Sequence, residues 1–137
     1  MLTYNGANQL LNMLCGKSQS YGYSNVYVGL STTAPDRGGS GYTEPSASAG
    51  YSRVLIGNPS QAATQKMGSA NLGSSSNTDI IYFPEATGSW GTCTHFLIFN
   101  AANDGVLVAY GALTDEIAPV AGTVPIIRVG DLTMAIS

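Results

Sequence analysis

The sequence predicts an all-β fold: an antiparallel β-sandwich with one short N-terminal helix. A jelly-roll-like arrangement is one version of this sandwich that the sequence allows. About seven or eight short segments are rich in β-forming residues and are separated by Gly, Pro, Asn and Asp turn signals. Strands do not alternate with helices, as a parallel α/β sheet would require. The chain of 137 residues shows no shift in composition. It is therefore predicted to be a single domain spanning 1–137, with 1–16 as a helical segment.

The first segment has a helical period. Apolar residues recur at the spacing i, i+3, i+4 and i+7, which places them on one face of a helix; they are Ala7, Leu10, Leu11 and Leu14. Thr3 or Asn5 can cap the start, and Gly16 stands where a helix would end. We therefore predict a helix over 4–15. So short a helix needs packing, so its leucine face must dock on the domain's own sheet or on a neighbouring subunit.

The first half of the body is predicted to hold two strands around a long loop. Residues 25–31 and 51–56 are rich in β-branched and aromatic residues. The stretch 32–50 between them contains repeated Gly and Pro and is predicted to be an exposed loop. A short edge strand is predicted around 66–72. It lies within the stretch 61–77, which is rich in Ser, Ala and Gly and has no clear periodic pattern.

The second half is predicted to end in two strand pairs. Asn103-Asp104-Gly105 is a tight-turn signal, so the strands that flank it should form an antiparallel hairpin. The last two strands are predicted to pair with each other around Gly130-Asp131. The predicted strands are 79–83, 92–100, 106–113, 124–129 and 132–136.

Charge is scarce in this chain. Only 9% of residues are charged, against about a quarter in ordinary domains, whereas 44% are hydrophobic. A weakly charged surface offers little repulsion between copies, which favours a protein that works inside an assembly. No Lys/Arg cluster is available to neutralise phosphates, so no nucleic-acid partner is predicted; the basic residues are Lys17, Arg37, Arg53, Lys66 and Arg128.

The sequence contains few residue patterns that would support catalysis or ligand binding. His95 is the only histidine, and no partner for it can be named. No metal-ligand spacing, nucleophile elbow or phosphate loop occurs. Cys15 and Cys93 lie far apart and are predicted to be reduced. We therefore predict no enzyme, no catalytic residue, no metal and no cofactor.

No targeting segment is visible in the sequence. Residues 1–14 lack the pattern of a secretory signal, and no apolar run approaches the length of a membrane span. We therefore expect no membrane partner and a soluble protein made in a cytoplasm.

Several stretches, in order, carry a resemblance to a known family. The most specific is Ile81-Tyr82-Phe83-Pro84-Glu85-Ala86-Thr87-Gly88-Ser89-Trp90-Gly91-Thr92, which runs into Thr94-His95-Phe96-Leu97-Ile98-Phe99. Together they resemble a family of short phage structural proteins labelled tail-fibre-like, whose relatives are thought to decorate capsids. The other stretches are 7–14, 26–35, 41–45, 50–53, 110–113 and 129–133.

The resemblance implies a non-enzymatic virion structural protein. We expect a capsid decoration or cement protein that stabilises the major capsid shell, as a homotrimer bound to the major capsid protein. It would be located in the virion, after assembly in the host bacterial cytoplasm. The alternative is a tail- or head-fibre module that binds a host surface glycan or receptor. The tyrosines proposed to stack on sugars are Tyr21, Tyr23, Tyr42 and Tyr51.

Five side chains are the candidates for subunit interfaces: Leu10, Leu11, Leu14, Tyr42 and Trp90. The loop 32–50 is a candidate for contact with the capsid or with sister copies. Trp90 has two interpretations, because a large aromatic between Gly88 and Gly91 can pin an internal corner between sheets or anchor an interface.

Overall fold

The computed structural model describes residues 1–17 and 25–135, without the side chain of Met13. These residues form short antiparallel strands and one helix, consistent with the predicted all-β sandwich. The jelly-roll variant stays a prediction. The elements are α1 (Tyr4–Leu14), β1 (Val26–Ser31), β2 (Val54–Gly57), β3 (Ser74–Ser76), β4 (Ile81–Tyr82), β5 (Cys93–Phe99), β6 (Leu107–Ile117), β7 (Ile126–Ile127) and β8 (Thr133–Ala135), with short 3-10 turns at Ala47–Ala49 and Ala62–Thr64.

The helix α1 begins and ends as its sequence predicts. Thr3 is the N-cap, since its hydroxyl accepts a hydrogen bond from the Gly6 amide at 3.1 Å. The same hydroxyl donates to the Leu107 carbonyl at 2.6 Å, which ties the start of the helix to β6. At the other end, Gly16 takes a positive φ of 70° and the Lys17 amide donates to Asn12, closing a Schellman-type cap.

The strand β5 lies inside a four-stranded sheet of order β2-β1-β5-β6, in which all neighbours are antiparallel. The predicted hairpin of β5 and β6 is confirmed. In its turn, Asp104 and Gly105 have positive φ values of 52° and 75°, the conformation that Asp-Gly sequences favour in type I′ turns. The strands β4 and β7 form one further two-stranded ladder, and β3 and β8 form another.

Both faces of β5 are buried. Phe96 and Ile98 belong to the main core, which also contains side chains of β1, β4 and β7. Leu97 and Phe99 lie in a second, smaller cluster with Leu107, against which Tyr42 and Tyr110 pack. The sheet must therefore be covered on both sides, by the two ladders on one side and by the loop after β1 on the other.

The alternation of β5 is interrupted at its start. By strict alternation, His95 would share a face with Cys93, Leu97 and Phe99. The structure places Cys93 in the main core with Phe96 instead. The ladder is irregular at this point, since the register of β5 with β6 shifts between Cys93 and His95, opposite the stretch 112–117 of β6.

Two strand predictions are wrong. The segments 124–129 and 132–136 do not pair with each other, since β7 pairs with β4 and β8 pairs with β3. The strand expected at 66–72 lies further on, as β3. Leu72 and Gly73 both have positive φ, and backbone bonds between Asn71 and Ser74 close a tight turn there.

Asn77 explains why the last two strands diverge. Its side chain is 1% exposed and makes four hydrogen bonds. The amide nitrogen donates to the carbonyls of Asp79 and Arg128, both at 2.9 Å. The Oδ1 oxygen accepts from the amides of Gly130 and Leu132 at 3.1 and 3.0 Å. One of these groups, the Leu132 amide, is a group that a tight hairpin around Gly130-Asp131 would have used, so Asn77 competes with that hairpin.

The two cysteines lie in different environments. Cys15 is exposed and Cys93 is buried, and both are free thiols, while burial raises the pKa of the Cys93 thiol to about 11.

Within the described residues, no helix has the length and apolar character that crossing a bilayer requires.

We predict that Asn77→Leu lowers the free energy of unfolding by about 3 kcal/mol, because buried backbone donors and acceptors lose their partners. Urea titration of both proteins measures the difference. Asn103→Ala, on the exposed hairpin turn, is the control and should change stability by less than about 0.5 kcal/mol. Equal effects of the two substitutions would contradict this role of Asn77.

Candidate functional site

Two exposed leucines of α1 lie on one side of the helix, the side on which Tyr4 is also exposed. Leu11 is 56% exposed and Leu14 is 70% exposed, while Ala7 between them on the helix surface is half-buried. We call Ala7, Leu11 and Leu14 the leucine surface. The helix carries no acidic residue in its first turn and no basic residue in its last. This surface can therefore be buried against another molecule without removing a charge from water.

The neighbouring side of α1 is already in use. A Cβ atom at Gly6 would overlap the Val108 carbonyl oxygen, so glycine lets the helix approach β6 closely. Leu10 is half-buried on this same side. The helix therefore docks on its own sheet through Gly6 and Leu10, and Leu11 and Leu14 stay exposed beside that contact.

An apolar groove of about 400 Å³ lies between α1, β6 and the β3–β8 ladder. Gln9 is one of the residues that line this groove. Within the described part of the chain, its Oε1 oxygen is buried away from solvent and has no hydrogen-bond donor, which costs free energy. Its apolar walls include Leu2, Gly6, Leu10, Ala70, Val108 and Met134.

Trp90 lies in an internal corner and is 3% exposed. Its indole Nε1 donates to the Ala49 carbonyl at 2.8 Å. The rings of Tyr51 and Phe83 meet it edge-on, with centroids 5.3 and 6.2 Å away. Little of Trp90 is therefore available for contact with another copy.

The loop 32–50 is pinned to the sheet by an ion pair that sequence reasoning missed. Arg53 donates from Nε and Nη2 to the two carboxylate oxygens of Glu44, both at 2.9 Å. Its Nη1 donates to the carbonyls of Ala101 and Asp104 in the β5–β6 hairpin. The guanidinium carbon also lies 3.4 Å from the ring centroid of Phe99, a cation–π arrangement. One side chain thus joins the loop, the hairpin and the second core cluster.

Tyr51 completes this network. Its hydroxyl donates to Glu44 Oε1 at 2.6 Å and accepts from the Leu30 amide at 3.0 Å. A Cβ atom at Gly29 would lie 2.5 Å from that hydroxyl oxygen, so β1 needs glycine at this point. Because Tyr51 is 8% exposed, its ring is not available to stack on a sugar.

The network perturbs the acid–base behaviour of its members. Burial acts to raise the pKa of Glu44, but hydrogen bonds from Arg53 and Tyr51 outweigh it and hold that pKa below its usual range. Burial and the Glu44 carboxylate together raise the pKa of Tyr51 far above its ordinary value. Glu44 is therefore ionised, and Tyr51 neutral, across the physiological range.

Tyr42 and His95 are the remaining candidates among the described residues. Tyr42 is half-buried, with its ring edge-on to Phe99 at a centroid distance of 5.5 Å. Tyr21 and Tyr23 lie outside the described residues. The His95 Nδ1 atom is 2.8 Å from the Thr94 hydroxyl. Among the described residues, no three His, Cys, Asp or Glu side chains are grouped so as to hold a metal ion.

Glu44 and Gln9 gave no usable signal in the sequence. Glu44 and Arg53 are nine positions apart and look like two isolated charges, and Gln9 has the polarity expected of an ordinary helix position. The only available hint was that charges are rare in this chain, because a charge retained in so neutral a sequence is a candidate for a specific partner.

The fold and this surface define a class of protein: a small antiparallel β subunit with a charge-free helical surface left exposed. The family model described as "Podophage GP4 fiber I protein gp80" matches residues 1–135. The chain belongs to this family, and it is therefore a phage virion structural protein of fibre-like type, as the sequence resemblance implied. No curated protein matches it significantly.

The ion pair predicts a pH dependence of stability. The folded state lowers the pKa of Glu44. The ionised carboxylate therefore stabilises the fold fully at pH values above the pKa that Glu44 has in the unfolded chain. This stabilisation is lost as the pH falls through the pKa that Glu44 has in the folded protein. Glu44→Gln should therefore cost about 2 kcal/mol at pH 7, and this cost should shrink at a pH below the folded pKa. Denaturant titrations of both proteins across the acid range measure it.

The matched control is Glu116→Gln, which removes an exposed carboxylate from β6. It should change stability by less than about 0.5 kcal/mol at every pH. A cost for Glu44→Gln that stays constant from neutral to acid pH would show that the charge of Glu44 is not what stabilises the loop.

Proposed function

We propose that this protein is a non-catalytic subunit of the phage capsid surface, a decoration protein that associates as a homotrimer and contacts the major capsid protein. The observation that carries the proposal is the leucine surface of α1. Two leucines more than half exposed on a short, uncharged helix are costly in an isolated molecule and useful in an assembly. Each Leu buried in a contact contributes about 1.5 to 3 kcal/mol.

The arrangement of the polar groups supports a structural role. The Glu44 carboxylate, the Arg53 guanidinium and the Asn77 amide are committed to bonds with other groups of the chain. Satisfied networks of this kind rigidify a fold. A rigid, weakly charged body suits a protein whose work is to hold neighbouring subunits together in many copies.

A second candidate is a subunit of a tail or head fibre that contacts the host surface. The specific observation in its favour is the description of the family, which names a fibre protein. The burial of Tyr51 removes one of the four tyrosines proposed to stack on sugars. Tyr42 remains half-exposed beside the loop 32–50, and it is the residue that this candidate would rely on.

Electron microscopy of purified virions separates these two functions. The decoration role predicts hundreds of copies, in threefold clusters where major capsid subunits meet. Particles that lack the protein should release their DNA at a lower temperature than complete particles. If only a few copies are present and lie on an appendage, the decoration role is wrong and the fibre role is supported. If the protein is absent from purified particles, both roles are wrong.

A further inference from the structure

A cleft of about 500 Å³ lies between the last part of β6 and β7. Its two walls are the stretches 113–119 and 123–128. The chain reverses between them in a turn, where the amide and the hydroxyl of Thr123 both donate to the Val120 carbonyl. Among the described strands, no ladder joins β6 to β7, so the two walls are the arms of a hairpin held apart. We call this space the β6–β7 cleft.

The wall formed by β7 has a free backbone edge. In the β4–β7 ladder, the Pro125 carbonyl accepts from the Phe83 amide at 2.9 Å, and Ile127 is paired with Ile81 two positions further along. The backbone groups of successive residues in a strand point to opposite edges. The amide and carbonyl of Ile126 therefore point away from β4, and Ile126 lines the cleft.

The wall formed by β6 is an edge as well. β6 is the outermost strand of its sheet, and the segment 1–3 covers only the first part of it. There the Thr3 amide donates to the Val108 carbonyl, and the Tyr110 amide donates to the Met1 carbonyl. Beyond Tyr110, no described segment pairs with this edge. The cleft thus lies between two strand edges, and edges of this kind bind further strands through main-chain hydrogen bonds.

We propose that an extended, basic segment of a partner protein enters the β6–β7 cleft and adds a strand between β6 and β7. The four-stranded sheet and the β4–β7 ladder then form one continuous sheet. This rests on the proposed function, in which the partner is the major capsid protein, and it specifies the kind of segment through which the two proteins meet. At about 3.3 Å per residue, the wall 113–117 accommodates about four residues of the added strand.

The charges around the cleft indicate a basic occupant. Three carboxylates line it, those of Asp115, Glu116 and Asp131, against the single guanidinium of Arg128. Within the described part of the chain, none of these four side chains takes part in a salt bridge. Lys or Arg side chains on the added strand therefore meet carboxylates that the chain has not neutralised, whereas an acidic segment is repelled.

The floor of the cleft indicates the other side chains of the segment. Leu113 and Ile127 are buried members of the main core, and Ile117 packs against that core. All three line the cleft, and the exposed Asp115 and Glu116 lie at its rim. Because side chains alternate between the two faces of a strand, the segment that suits this site alternates apolar residues, which rest on the floor, with Lys or Arg at the rim.

Peptide binding to the full chain tests this proposal by titration calorimetry. The probe is a capped peptide in which Lys and Val alternate, and the matched peptide has Glu in place of every Lys. The Lys–Val peptide should bind, and the Glu–Val peptide should bind at least about tenfold more weakly. A Lys–Val peptide that is N-methylated at alternate residues lacks the donors for one edge. It should also bind at least about tenfold more weakly, because strand addition depends on main-chain hydrogen bonds.

Hydrogen exchange measured by NMR locates the bound peptide. The Ile126 amide, which points away from β4, should exchange at least about tenfold more slowly when the Lys–Val peptide is bound. The Ile127 amide, which faces β4 in the existing ladder, should slow by a smaller factor.

Two double variants test the role of charge. Asp115→Lys with Glu116→Lys reverses the charge of the β6 wall at exposed positions, so it should lose affinity for the Lys–Val peptide and bind the Glu–Val peptide instead. Asp79→Lys with Glu85→Lys makes the same change in net charge at exposed positions outside the cleft, and it should bind both peptides as the wild type does. Circular dichroism should show both variants folded.

Several results would overturn the proposal: no binding of the Lys–Val peptide, equal binding of the two peptides, or undiminished binding of the N-methylated one. A change in the oligomeric state of the Asp115→Lys and Glu116→Lys variant in sedimentation would also overturn it, because a second copy of the chain would then occupy the cleft.

Rebinding to phage particles that lack the protein separates this contact from the proposed function. If the wild type and the Asp115→Lys and Glu116→Lys variant rebind equally well, the cleft is not the contact and the proposed function stands. If the wild type binds the Lys–Val peptide but not the particles, the strand site is supported and the capsid is not its partner.

Discussion

The structure depends on one constraint, which is that β5 is buried on both of its faces. Phe96 and Ile98 require cover on one side of the sheet, and Leu97 and Phe99 require it on the other. The β4–β7 and β3–β8 ladders supply the first layer. The second layer comes from the irregular loop 32–50, in which no paired strands hold the backbone in place. The Glu44–Arg53 pair supplies that hold, since Arg53 bonds to the loop and the hairpin while lying against Phe99.

The same constraint determines what α1 can do. With both faces of the sheet covered, the helix is left at the edge of the sheet, where Thr3 and Gly6 fix it against β6. Only one side of a helix can dock at an edge, so two of its leucines remain in solvent. The exposed leucine surface therefore follows from the way the core is closed, and the near absence of charge around it makes it suitable for assembly.

Local signals in the sequence predicted the parts of this structure that local physics determines. The leucine period and Gly16 predicted α1, and Asp104-Gly105 predicted the β5–β6 hairpin. Contacts between distant residues left no such trace. Asn77 diverts β7 and β8 to separate partners through bonds that span more than fifty residues, and the register of β5 with β6 shifts between Cys93 and His95. The leucines were candidates from the start, whereas the groove between α1, β6 and the β3–β8 ladder exists only once these elements are folded together.

The central claim is that other copies of this chain cover the leucine surface of α1. Hydrogen exchange measured along a dilution series tests it directly, because a helix this short is marginal without packing. The account predicts that exchange of the α1 amides slows as concentration rises and the trimer forms. The β5 amides, buried within each copy, should exchange at the same rate throughout. Protection of α1 that does not change with concentration, across a range in which the trimer dissociates, would contradict the claim.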